Sequence, residues 1–126
     1  MPTISEFQLQ RATAIWLHGR NNLPGALSND VIAWHTPNGG ARSAREGGRM
    51  KESGVVPGIF DWTFVGRGKF WAIELKVGTG ELSADQREMW SRYHAAGAAG
   101  IALCRTLEHF KAVVRDWQLT ITTSRV

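Results

Sequence analysis

Residues 60–76 read FDWTFVGRGKFWAIELK, two β-prone runs joined by a short link with glycine at positions 66 and 68. Aromatic and branched residues on either side of GRGK predict two antiparallel strands closed by a tight hairpin. Side chains alternate across a strand, so Phe70, Ala72, Glu74 and Lys76 share one face while Trp71, Ile73, Leu75 and Val77 share the other. The second set is wholly apolar and marks the core. With residues 66–69 as the loop, Val65 pairs with Phe70, and counting outward sets Asp61 opposite Glu74. Directly opposed like charges weaken a strand pair, and facing Cβ atoms lie only about 4.5–5.5 Å apart. A divalent cation between the two carboxylates would resolve the conflict. The small Ala72 is expected to leave room for a ligand beside Glu74. If the pairing is shifted by two residues, Asp61 instead faces Lys76 and the pattern is an ordinary cross-strand ion pair.

Outward from this hairpin the chain reads as one α/β domain over residues 1–126. SEFQLQRATAIWL (5–17) carries Leu9, Ala12, Ile15 and Trp16 at helical spacing, with Thr3 and Ser5 as candidate caps. VIAWHT (31–36) reads as a strand closed by PNGG. A helix over 41–53 is weakened by Gly47 and Gly48, each worth about 1 kcal/mol against alanine. LSADQREMWSRYHAAG (82–97) is a helix begun by Ser83, with Gln86 at the capping-box position and Met89, Trp90 and Tyr93 as its stripe. IALC (101–104) is a buried strand. Leu107, Phe110, Val114 and Trp117 define a last helix, and LTIT (119–122) an edge strand. The strand–helix–strand run from 70 to 104 predicts parallel pairing, the hairpin antiparallel pairing, and together they predict a mixed sheet flanked by helices in the order α-β-(α)-β-β-α-β-α.

Composition sets the outer limits. The 126 residues are 43% hydrophobic and 21% charged, with a net charge of +4, and they contain neither an apolar run of membrane-spanning length nor a signal-peptide pattern, so a cytoplasmic protein is expected. The single cysteine, Cys104, lies in the apolar stretch 98–104 and reads as an inert buried thiol. Arg42, Arg45, Arg49 and Lys51 crowd one segment opposed only by Glu46 and Glu52, the footprint of a polyanion contact or of a solvated helix face. His18, His35, His94 and His109 have no metal-ligand spacing, and neither a Walker loop nor a nucleophile elbow is present. Trp16, Trp71, Trp90 and Trp117 fall on core stripes; Trp34 and Trp62 are undecided.

Taken in order, WHTPNGGARS (34–43), GRMKESGVVPGIFDW (48–62) and WAIELKVGTGELSADQREMWSRYHAAGA (71–98) resemble the VRR-NUC (virus-type replication-repair nuclease) domain of the PD-(D/E)XK superfamily, with Asp61, Glu74 and Lys76 on its catalytic positions. Phe60 stands where that family has proline, and Gly47 and Gly48 fall where it looks helical. The resemblance implies a restriction-endonuclease-like core and a DNA endonuclease dependent on Mg²⁺ or Mn²⁺, the ions suited to hard oxygen ligands. It implies that Asp61, Glu74, the Leu75 backbone carbonyl and Glu6 hold the metal, and that Lys76 positions or deprotonates the attacking water. Glu6 has a second reading, since Thr3 and Glu6 have capping-box spacing. Gln86, also a family position, either orients Lys76 or water or completes the cap with Ser83. Arg42, Arg45, Arg49 and Lys51 would contact DNA phosphates, with Arg67 and Lys69 of the hairpin loop as further candidates. Stand-alone domains of the family are associated with phages, form homodimers and include enzymes that cut four-way junctions, so branched DNA and a second copy of the chain are the expected partners. The alternative is a nucleic-acid-binding module on the same fold that has lost catalysis.

Overall fold

The computed structural model describes residues 4–37 and 44–121, with the backbone alone at 44–46. Helix α1 (Glu6–His18) opens the chain and is followed by a two-stranded ribbon, β1 (Gly19–Arg20) and β2 (Leu23–Pro24). Then come β3 (Val31–His35), α2 (Ala44–Glu52), β4 (Trp62–Gly66), β5 (Lys69–Leu75), α3 (Ala84–Ala95), β6 (Gly100–Cys104) and α4 (Leu107–Asp116). The main sheet has the order β3-β4-β5-β6, antiparallel across its first two pairs and parallel between β5 and β6. The protein is therefore α/β with a mixed four-stranded sheet flanked by helices, in the expected element order plus the small ribbon. None of the described helices is long and apolar enough to cross a membrane.

The hairpin closes as its loop length requires. Arg67 and Gly68 are the two turn residues, with φ of 54° and 75°, the doubly left-handed combination whose twist matches that of the flanking strands. Gly66 pairs with Lys69 and Val65 with Phe70, and the register runs on to Trp62 opposite Ile73. Continued by one residue, this register sets Asp61 opposite Glu74, and the shifted pairing with Lys76 does not occur.

One face of the sheet, carrying Val31, Ala33, Trp62, Phe64, Trp71, Ile73 and Leu75, packs on Leu9 and Leu17 of α1 and on Phe110 and Val114 of α4. Trp62 is thereby a core residue, 1% exposed, whereas Trp34 is 45% exposed. The opposite face is not open beside Ala72, contrary to the expectation from its size. Ala72 is buried in a second cluster with Phe60, Met89 and Tyr93, because α3 crosses the sheet there and its aromatic stripe fills the space a larger side chain would need. The Tyr93 hydroxyl accepts the Phe60 N–H at 3.1 Å, holding the chain just before Asp61. Gly58, at φ 85°, lies against the Asp85 backbone at the start of α3, where a Cβ would collide. Cys104 is fully buried and burial pushes its thiol up to about 12, as expected of an inert group. The expected edge strand at 119–122 is reduced, over the described residues, to one bridge between Thr120 and Leu27.

Phe110 sits at the centre of the larger core, its ring 6.0 Å from Trp16 and 6.3 Å from both Trp62 and Phe64. Truncation there removes a large apolar side chain and leaves a cavity walled by rigid rings. We expect Phe110→Ala to destabilise the fold by about 3–5 kcal/mol in urea unfolding.

Candidate metal centre

Asp61 and Glu74 meet where the β4–β5 ladder ends, and they complete it with their side chains. The Asp61 N–H donates to Glu74 Oε1 at 3.0 Å, and the Leu75 N–H donates to Asp61 Oδ2 at 2.8 Å. Each acid thus takes a backbone donor from the opposite strand, a role usually filled by carbonyl groups. Lys76, two residues beyond Glu74 on the same strand face, places its Nζ 3.4 Å from Glu74 Oε2. The Asp61 carbonyl accepts the Thr36 N–H at 2.9 Å, so the residue is anchored toward β3 as well.

Glu6 reaches this pair from α1. The helix is capped by Ser5, whose hydroxyl accepts the Gln8 N–H while Gln8 Oε1 accepts the Ser5 N–H. The cap is therefore Ser5–Gln8. Thr3 lies outside the described residues, and the helix terminus is satisfied without the Glu6 side chain. One carboxylate oxygen each from Glu6, Asp61 and Glu74 lie within 4.8 Å of one another. The position of α1 is set by a buried link: Trp62 Nε1 donates to Thr13 Oγ1 at 3.0 Å, and Thr13 donates to the Gln10 carbonyl at 2.7 Å. Trp62 follows Asp61 directly, so the residue next to the first acid also sets the height of the helix carrying Glu6.

Gln86 completes the cap with Ser83, and its amide nitrogen meets Glu74 rather than Lys76. Its Oε1 accepts the Ser83 N–H at 2.9 Å, closing the capping box of α3, and its Nε2 donates to Glu74 Oε2 at 2.7 Å. The basic candidates divide. Arg42 and the Arg45 side chain lie outside the described residues. Arg49 and Lys51 lie on α2, and Lys51 lines a cleft of about 300 Å³ that shares Gln86 with the acidic one. Arg67 has partners within the protein: it grips Asp30 with two nitrogens at 2.8 and 3.0 Å and the Gln118 carbonyl at 2.8 Å. Arg67 and Lys69 also occupy the turn end of the hairpin, away from the acids. The Asp30 partner of Arg67 lies 37 residues away and is not visible from the turn sequence.

The acids line a cleft of about 500 Å³ together with Lys76, Gln86, His35 and Gln10. His35 and Gln10 were not singled out from the sequence as site residues. His35 Nδ1 lies 3.0 Å from the Asp61 carbonyl oxygen. The signal for it was weak, because the β3–β4 register depends on a connection of more than twenty residues. The signal for Gln10 was better, since a residue four positions after Glu6 shares its helix face.

Asp61 is 8% and Glu74 2% exposed. Burial pushes both carboxyls upward, and for Glu74, at about 8, the charge of Asp61 adds to the effect while Lys76 opposes it. Two buried acids with Glu6 close by and one ammonium among them form a set of hard oxygen donors short of positive charge. Three carboxylates so placed could hold a divalent metal ion. Compared with protein-family models, with curated proteins and with solved structures, the chain gives no significant match.

An acid whose folded-state pKa is raised binds its proton more tightly when folded. Its stabilising contribution is full below the ordinary carboxylate range and is lost as pH rises toward about 8. Without a divalent ion the protein is therefore expected to lose stability between about pH 5 and pH 8. Asp61→Asn, which removes the like charge, should flatten this slope and raise stability at pH 8 by roughly 1–3 kcal/mol. Urea unfolding in chelator at several pH values measures both effects.

Proposed function

We propose that the protein is a metal-dependent deoxyribonuclease, a phosphodiester hydrolase of the VRR-NUC kind on a restriction-endonuclease-like core. The observation that carries this reading is the convergence of Glu6, Asp61 and Glu74 carboxylates within 4.8 Å, beside the Lys76 ammonium, in an open cleft. Glu6, Asp61, Glu74 and the Leu75 carbonyl would hold one or two Mg²⁺ or Mn²⁺ ions. An extended residue turns its N–H and C=O to the same side, and the Leu75 N–H already points to Asp61. Bound there, the ion supplies Lewis-acid polarisation of the phosphate and lowers the pKa of water.

The side chains of the site have separable tasks. Gln86 and the Asp61 N–H fix both oxygens of Glu74, and the Leu75 N–H fixes one of Asp61. Each carboxylate oxygen has further lone-pair capacity, so these bonds orient the acids without exhausting them as ligands. Lys76, whose Nζ is 3.4 Å from Glu74 Oε2, would position the attacking water or, in its neutral amine form, take the proton from it. Arg42, Arg45, Arg49 and Lys51 would contact backbone phosphates, giving affinity without sequence reading. Branched DNA such as a four-way junction, cut by a homodimer with two sites related by a two-fold axis, is the substrate arrangement that the resemblance favours. A module that only binds nucleic acid gains nothing from buried acids that repel phosphate.

The test is cleavage of four-way junction, flap, single-stranded and duplex DNA with Mg²⁺ or Mn²⁺. Asp61→Ala and Lys76→Ala should each lower the cleavage rate by roughly 100-fold or more. Undiminished cutting by either variant would refute its assigned role, and DNA binding without cutting by the wild type would identify a binding module.

A further inference from the structure

Lys76 carries its charge on a flexible four-carbon stem, which keeps one position only where its surroundings wall it in. Its side chain is 18% exposed, with Nζ 3.4 Å from Glu74 Oε2. Part of that cover comes from the turn that follows β5. The Gly80 N–H donates to the Val77 carbonyl at 3.1 Å, closing residues 77–80, and Gly78 enters the turn with a φ of 56°. A Cβ placed on Gly80 would meet Lys76 Cβ and Cδ, each at 3.7 Å. The turn therefore doubles back along the aliphatic part of Lys76, close enough to limit its rotamers.

Two glycines make this turn compliant in itself, because glycine has wide backbone freedom. It is fixed from the neighbouring strand. Arg105 directly follows β6, at the point where the Cys104 carbonyl accepts the Lys76 N–H at 3.1 Å. Its Nη1 donates to the Gly78 carbonyl at 3.0 Å and to the Gly80 carbonyl, and its Nη2 meets Glu81 Oε1 at 3.3 Å. A guanidinium suits this task, since it presents several donors in a rigid fork and stays charged. The clamp also occupies two carbonyl oxygens near the Lys76 stem that a loosened turn could offer to the ammonium in competition with Glu74.

We propose that Arg105 is a positioning residue for Lys76: by holding the Gly78 and Gly80 carbonyls it keeps the 77–80 turn along the lysine side chain and thereby keeps Nζ beside Glu74. The catalytic consequence rests on the nuclease reading given above; the placement of the amine does not. Arg105 acts through the turn, and the Glu81 carboxylate balances part of its charge. Since Lys76 handles water in that reading, loss of the clamp slows the chemical step and leaves substrate affinity unchanged.

The test is the rate at which acetic anhydride modifies Lys76 under trace labelling of the full chain, without metal or DNA, read by peptide mass spectrometry with Lys69 and Lys111 as internal references. Arg105→Ala should raise the Lys76 rate several-fold and leave the two reference lysines unchanged. Arg105→Lys keeps a donor for the carbonyls and should recover part of the protection. Glu81→Gln leaves the carbonyl clamp in place and should match the wild type. In cleavage of DNA with Mn²⁺, Arg105→Ala should lower kcat by about 10- to 100-fold with KM unchanged. An unchanged Lys76 rate in Arg105→Ala would overturn the assignment, as would an equal rise at all three lysines, which reports general loosening. A rise in Glu81→Gln as large as in Arg105→Ala would also overturn it, since the ion pair and not the clamp would then hold the turn. Should Arg105→Ala fail to fold, Gly78→Val decides: a β-branched residue is disfavoured at φ 56°, so it should shift the turn and raise the Lys76 rate with Arg105 intact, and an unchanged rate overturns the proposal. A wild type that cuts no DNA removes the nuclease reading while the labelling still decides what places Lys76; cutting by the wild type with an unchanged Lys76 rate in Arg105→Ala removes this inference alone.

Discussion

The reciprocal exchange at the end of the β4–β5 ladder is the constraint around which the molecule is arranged. Asp61 and Glu74 are buried acids of like charge, each accepting a backbone N–H of the other's strand. The exchange works only in one register, because a slip of one residue would turn Glu74 to the opposite face of the sheet. That register is secured at the far end by a two-residue turn whose Arg67 is locked to Asp30, which the guanidinium holds well below the usual carboxylate range. It is secured along its length by Trp62, Phe64, Trp71 and Ile73 in the larger core. Apolar burial on both faces thus offsets an arrangement that is unfavourable in itself. Strain of this kind, held by packing elsewhere, is characteristic of functional sites.

The third acid depends on the same device by a different route. Nothing in α1 alone aims Glu6 at Asp61; the helix could slide along its apolar stripe at small penalty. The buried hydrogen bonds from Trp62 to Thr13 and from Thr13 to the Gln10 carbonyl remove that freedom, since an unpaired indole N–H or hydroxyl in the core is costly. The polar contact specifies position while Leu9 and Leu17 supply the stabilisation. On the other side, Gln86 links the start of α3 to Glu74 with one amide. Three elements separated in sequence are tied to one point by side chains placed on regular structure, the arrangement that holds a constellation most tightly.

What could be read from the residues beforehand follows from how local the determining interactions are. The faces of β5 and the pairing of Asp61 with Glu74 were legible because alternation and a two-residue loop fix them within seventeen residues. Helices α1, α3 and α4 and the parallel β6 were legible from periodicity and from the length of the crossover, whereas α2 was only a weak expectation because of Gly47 and Gly48. The choice between Thr3–Glu6 and Ser5–Gln8 as the cap was not, since the two spacings overlap and only the backbone turn separates them. Nor was the filling of the space by Ala72, which depends on where α3 crosses the sheet. His35 and Gln10 were missed for a related reason. Their membership of the cleft arises from the β3–β4 register and from the depth of α1, both set by contacts distant in sequence.

Helix α2 differs from the rest of the fold in a way that bears on the cleft. None of its described side chains is buried, and Gly47 and Gly48 have open space where a Cβ would stand. Every other helix has at least two buried residues on its inner face. With little packing and two residues of low helix propensity, α2 belongs to the least stable part of the structure. Its basic residues also have few acids to oppose them, and Lys51 borders a second cleft that meets the acidic one at Gln86. On the function proposed above, phosphate contacts to this basic segment would supply stabilisation that the core withholds. The acidic pair needs rigid packing to keep its like charges together, whereas α2, with none of its described side chains buried, has little to hold it.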